Sequence, residues 1–170
     1  MPRIFRLKVD FIIFIFMETL YHYTHHKALL GILKKGEIKL AKASAQNTKP
    51  IAWLSIDKVF ERTALKMVRD PMTKQTTKLT FDQQFKFQGL ARIEVKHTKK
   101  IHTWAKLKHL ANYRDLSFIH GLEEVGLERG AKPSDWYGSL TPITINNFIK
   151  IEIFNGKKWV LYENENQLNI

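Results

Sequence analysis

The chain has no cysteine. Disulfides, thiol nucleophiles and cysteine-based zinc or iron–sulfur sites are therefore excluded. It also lacks the glycine-rich phosphate loops G-x-x-x-x-G-K-[ST] and G-x-G-x-x-G, the zinc-protease pattern H-E-x-x-H and the nucleophile elbow G-x-S-x-G. His22, His25 and His26 lie close together, but a change from strand to helix among them would scatter their side chains, so no metal site is expected. Long apolar runs are missing too. The longest, residues 11–17, has seven residues, whereas a membrane-spanning helix needs about 20.

Acidic residues are scarce: 28 Lys and Arg face 16 Asp and Glu, a formal charge of +12. Such an excess points to nucleic acid or another polyanion as partner. Local densities occur at Lys34, Lys35, Lys39 and Lys42, and again from Lys96 to Lys108. At 170 residues, with 44% hydrophobic and 12% aromatic content, the chain suits one globular domain. Arg3, Arg6 and Lys8 before the apolar run resemble a signal peptide, but Asp10 interrupts the flank and no small-residue cleavage site follows. Residues 1–16 are expected to be an extension upstream of a start at Met17, the alternative being an extra strand. A cytoplasmic protein without a membrane partner is expected.

Residues 18–24 read as a strand and 27–35 as a helix with Leu29, Ile32 and Leu33 on one face, closed by Gly36. Strands are expected at 37–43, 50–56 and 89–95. Asp57 is expected to cap a helix over 58–68 that ends before Pro71. Residues 72–87 read as irregular, 103–110 and 118–129 as helices, and 148–154 with 158–162 as a hairpin turned by Asn155-Gly156. Residues 164–170 read as a loose tail. Mingled strands and helices without βαβ alternation predict an α+β domain over 17–163.

On a strand His22 and Thr24 share one face and Tyr23 takes the other. The run Leu20-Tyr21-His22-Tyr23-Thr24 with Leu29, Ile32, Leu33 and Gly36 resembles the opening (I/L)-Y-H-x-T…L…I-L…G of ADP-ribosyltransferase-like domains, above all the DNA-modifying DarT type. Asp135 before Trp136, Pro142-Ile143 and the strand at 148–154 is similar to the family's acidic loop and the strands after it. The segment Ile51-Ala52-Trp53-Leu54-Ser55 is similar to its apolar strand ending in a small hydroxyl residue. A still nearer resemblance is to small bacterial and phage proteins with YHYT, W-(F/L)-S…E-x-T-A and P-S-(D/E)-W.

The resemblance implies a mixed or antiparallel sheet split around a cleft with flanking helices, and NAD as co-substrate. It implies a carboxylate that stabilises an oxocarbenium-like transition state, which falls to Asp135, with Glu61 the second catalytic candidate. Asp135 is one methylene shorter than the family's usual Glu. His22, with Thr24 or Ser55, would hold a ribose, and Tyr23, Trp53 or Trp136 would stack on nicotinamide. Nucleic acid is the acceptor the charge favours. The alternatives are a non-catalytic basic nucleic-acid-binding module of phage or plasmid origin, and a phosphotransferase acting on an RNA 2′-phosphate.

Overall fold

A computed structural model describes residues 18–168, so the expectations for residues 1–16 lie outside the described residues. β1 (Leu20–Thr24) enters the middle of a seven-stranded sheet and passes directly into α1 (His26–Lys35). The His25 ring caps α1 by accepting from Ala28 N–H, and Gly36 ends it at φ 71°, a left-handed conformation that suits glycine. β2 (Glu37–Ile38) is much shorter than the strand expected at 37–43. β3 (Ala52–Ser55) then returns beside β1.

The helix expected at 58–68 does not form. Asp57 does take the N–H groups of Val59 and Phe60, as a helix cap would, but a 3₁₀ turn, Arg62–Ala64, follows. The chain then runs into the exposed hairpin of β4 (Met67–Arg69) and β5 (Thr76–Lys78). Burial of Phe60 and Leu65 against Tyr21 and Tyr23 outweighs the local helical spacing. Residues 72–87 are likewise more regular than expected. They include α2 (Phe81–Gln88), whose Thr80 and Gln83 form a reciprocal capping box.

β6 (Ala91–Val95), β7 (Ile101–Thr103), α3 (Trp104–Leu110) and α4 (Leu116–Glu128) follow, then β8 (Trp136–Ser139), β9 (Ile143–Thr144), β10 (Phe148–Phe154) and β11 (Trp159–Leu161). The sheet runs β11-β10-β6-β1-β3-β8-β7 with every pairing antiparallel, and β2 pairs with β9 apart from it. The result is an α+β domain. On β6, Ala91, Ile93 and Val95 face the main core with Leu29 of α1. Arg92 faces the other way, lying between the Tyr21 and Trp159 rings and paired with Glu152 at 2.6 Å. Residues 164–168, read as part of a loose tail, include a 3₁₀ turn capped by Asn164 and Gln167, and Leu168 joins the main core.

That second face carries two separate clusters. Tyr21, Tyr23, Phe60, Leu65 and Leu90 form one; Ile51, Trp104, Leu107, Tyr113, Ile119 and Trp136 form the other under α3 and α4. A cleft lies between them.

Candidate functional site

The cleft opens where the sheet is thinnest. β1 matches β6 at five residue pairs and β3 matches β8 at four, but β1 meets β3 at Tyr21 and Ser55 alone. Beyond that rung a side chain takes over the role of the backbone: His22 Nδ1 lies 3.0 Å from the Trp53 carbonyl. A carbonyl can only accept, so this bond assigns the proton to Nδ1 and leaves Nε2 as an acceptor. Burial holds the His22 pKa below its ordinary 6.5 and the Lys66 charge acts in the same direction, while the bond to Trp53 opposes them. The ring is neutral at pH 7.

At the end of β3, Ser55 is fully buried and donates to Glu61 Oε2 at 3.0 Å. Its oxygen also accepts from Asp57 N–H at 3.1 Å. The other Glu61 oxygen accepts from Thr63 N–H at 3.0 Å and Thr63 Oγ1 at 2.7 Å. Glu61 is thus a buried carboxylate with both oxygens held by neutral donors. It lines the cleft together with His22, Ser55 and Thr63.

The apolar wall is aromatic. Trp53, Trp104 and Trp136 pack with ring centroids 5.6 to 6.4 Å apart, and Trp53 and Trp136 line the cleft. Trp104 is anchored by Nε1–H to Glu123 at 2.6 Å. Trp136 lies against Gly126 of α4, where an added Cβ would stand 2.5 Å from Cζ2. Its own Nε1–H is buried and finds no hydrogen-bond partner. Such an orphan donor is uncommon in a folded protein and costs stability unless a ligand or water satisfies it.

The cleft encloses about 440 Å³, within the range of small-molecule sites. Lys39, Lys66 and Arg129 also line it, against the single carboxylate of Glu61. None of these three cations makes an ion pair among the described residues. The chemistry on offer is that of an anionic ligand with a flat ring, read by a neutral histidine acceptor and a buried carboxylate.

Of the eight site residues expected from sequence, six line this cleft: His22, Tyr23, Trp53, Ser55, Glu61 and Trp136. Tyr23 does so with its hydroxyl committed to the Asp57 carbonyl and its ring against Phe60, so stacking falls to the tryptophans. Thr24 is buried and does not line the cleft. Asp135 does not line it either: it ends the 3₁₀ turn before β8, half-buried, with Oδ1 accepting from Ser134 at 3.2 Å and its carbonyl accepting from Ile56 N–H at 3.0 Å. Of the two arginines available from sequence, Arg92 is spent on Glu152 and Arg62 lies in the exposed 3₁₀ turn. The arginine that does line the cleft, Arg129, ends α4, where a cation beside Gly130 reads in sequence as ordinary helix termination.

Among the described residues no group of His, Asp and Glu is arranged to hold a metal, and no helix is long and apolar enough to cross a membrane. No protein-family model, curated protein or solved structure matches the chain.

Proposed function

We propose that the cleft binds NAD and that the protein is an ADP-ribosyltransferase-like enzyme with nucleic acid as its favoured acceptor. The observation that carries the reading is the buried Glu61 carboxylate, fixed by Ser55 and Thr63 in a cleft otherwise lined by cations and tryptophans. The residues present suit the ligand. The lysines and Arg129 offset phosphate charge, Trp53 offers a ring face, His22 Nε2 accepts from a hydroxyl, and Trp136 Nε1–H is an unused donor.

NAD supplies an ADP-ribosyl group whose bond to nicotinamide breaks with the electron pair leaving on the nicotinamide nitrogen. Positive charge then develops on the ribose. A fixed carboxylate in a site shielded from water stabilises that charge more in the transition state than in the ground state. Glu61 takes this role in preference to Asp135, because its oxygens are already aligned and it lies with His22. The test is nicotinamide release from NAD by the full chain, compared with Glu61→Gln. Binding without release in the parent would leave the non-catalytic module as the better account.

That second reading draws on the +12 charge. It requires binding of single-stranded nucleic acid that weakens steeply with salt and is indifferent to NAD.

A further inference from the structure

One group of charges at the cleft mouth is left unexplained by its floor. Lys78 of β5 is the register neighbour of Met67 on β4, and Met67 directly follows the cleft-lining Lys66. Arg62 is held back toward the same hairpin, its guanidinium 5.9 Å from the ring centroid of Phe81, three residues beyond Lys78. From the opposite side α4 ends at Arg129, which lines the cleft with Thr63 and Lys66. The four cations therefore come from three separate elements. Burial first, then the charges of Arg129 and Arg62, depress the pKa of Lys78, so these groups stand close enough to repel.

Nothing in the protein relieves that repulsion. None of the four forms an ion pair among the described residues, and the nearby carboxylate, Glu61, has both oxygens engaged by Ser55 and Thr63. Like charges gathered without a counterion destabilise a fold, and they persist where an anion completes them. We propose that Arg62, Lys66, Lys78 and Arg129 form a phosphoryl-binding site at the mouth of the cleft, distinct from the Glu61 and His22 floor. It takes a diphosphate or a run of phosphodiesters. The proposal rests on the cleft being a ligand site, not on NAD being its ligand.

The test follows tryptophan fluorescence, which Trp53 and Trp136 place beside the site, together with calorimetry. Inorganic pyrophosphate, ADP-ribose and a short single-stranded oligonucleotide are titrated into the parent, into Lys78→Met/Arg129→Met, and into Lys157→Met/Lys158→Met. The last pair loses the same charge from the exposed β10–β11 turn. Losing two charge-assisted contacts should weaken pyrophosphate about tenfold or more in the first pair and leave it nearly unchanged in the second. Its melting temperature should also hold or rise, because repulsion is removed, whereas a structural role for these side chains would lower it. If ADP-ribose shares the loss, the phosphates belong to a nucleotide. If only the oligonucleotide shares it, they belong to a nucleic-acid backbone. No saturable pyrophosphate binding by the parent, or an equal loss in the control pair, would overturn the site. Failure of NAD to bind while pyrophosphate still does would remove the NAD reading and leave this one standing.

Discussion

Glu61→Gln separates the roles of the cleft carboxylate better than any truncation, because it keeps the shape and changes charge and donor count alone. In the parent, Oε1 accepts from Thr63 N–H and Oγ1–H, so the amide oxygen of glutamine must take that side. The amide NH₂ then faces Ser55 Oγ, which already accepts from Asp57 N–H. Ser55 can accept a second time, but its own proton is left without a partner in a fully buried place. That costs about 1–2 kcal/mol, or roughly 2–8 °C in melting temperature for a domain of this size. Removing a negative charge from a cationic cleft should hold or raise affinity for NAD. Nicotinamide release should fall by about 10²–10³, the loss typical of one preorganised electrostatic contact to a transition state. The assays are thermal melting with and without NAD, calorimetry, and nicotinamide release at saturation. Full turnover in the variant, or a fall in binding without a fall in turnover, would refute the assignment.

Three further outcomes are expected. Between pH 7 and 5 the fold should lose stability, because unfolded His22 takes a proton near its ordinary 6.5 while the buried ring resists it; the contribution is full above that pH and is lost as pH falls. His22→Gln should flatten part of this decline in chemical denaturation, the rest being carried by His25 and His102, whose burial depresses them in the same direction. Gly126→Ala forces a methyl to within 2.5 Å of Trp136, so it should cost about 1–3 kcal/mol and shift the Trp136 emission; an unperturbed spectrum would show that α4 yields instead. Asp135→Asn should leave nicotinamide release unchanged, since Asp135 does not line the cleft; a loss matching that of Glu61→Gln would return the catalytic role to Asp135.

What was legible in the sequence follows from how local its causes are. β1, α1 and the Gly36 cap are written in alternation, 3.6-residue spacing and one left-handed glycine, and the Asn155-Gly156 turn in its own chemistry. Residues 57–68 misled because Asp57 makes the two bonds of a helix cap and the apolar spacing then continues, while the side chains that decide the path, Phe60 and Leu65, answer to tyrosines more than 35 residues earlier in the chain. The capping box at Thr80 and Gln83 was a readable helix signal that the polar surroundings hid. At the site, the motif residues were visible one by one. Their grouping was not, because it depends on β1 and β3 sharing one rung and on a hairpin that brings Lys66 and Lys78 opposite Arg129.

The central claim is tested most directly by incubating the full chain with NAD and measuring bound NAD and free nicotinamide together. The account predicts saturable binding that quenches tryptophan emission, and nicotinamide released by the parent but scarcely by Glu61→Gln. Absence of binding at millimolar NAD, or release that Glu61→Gln leaves untouched, would contradict it.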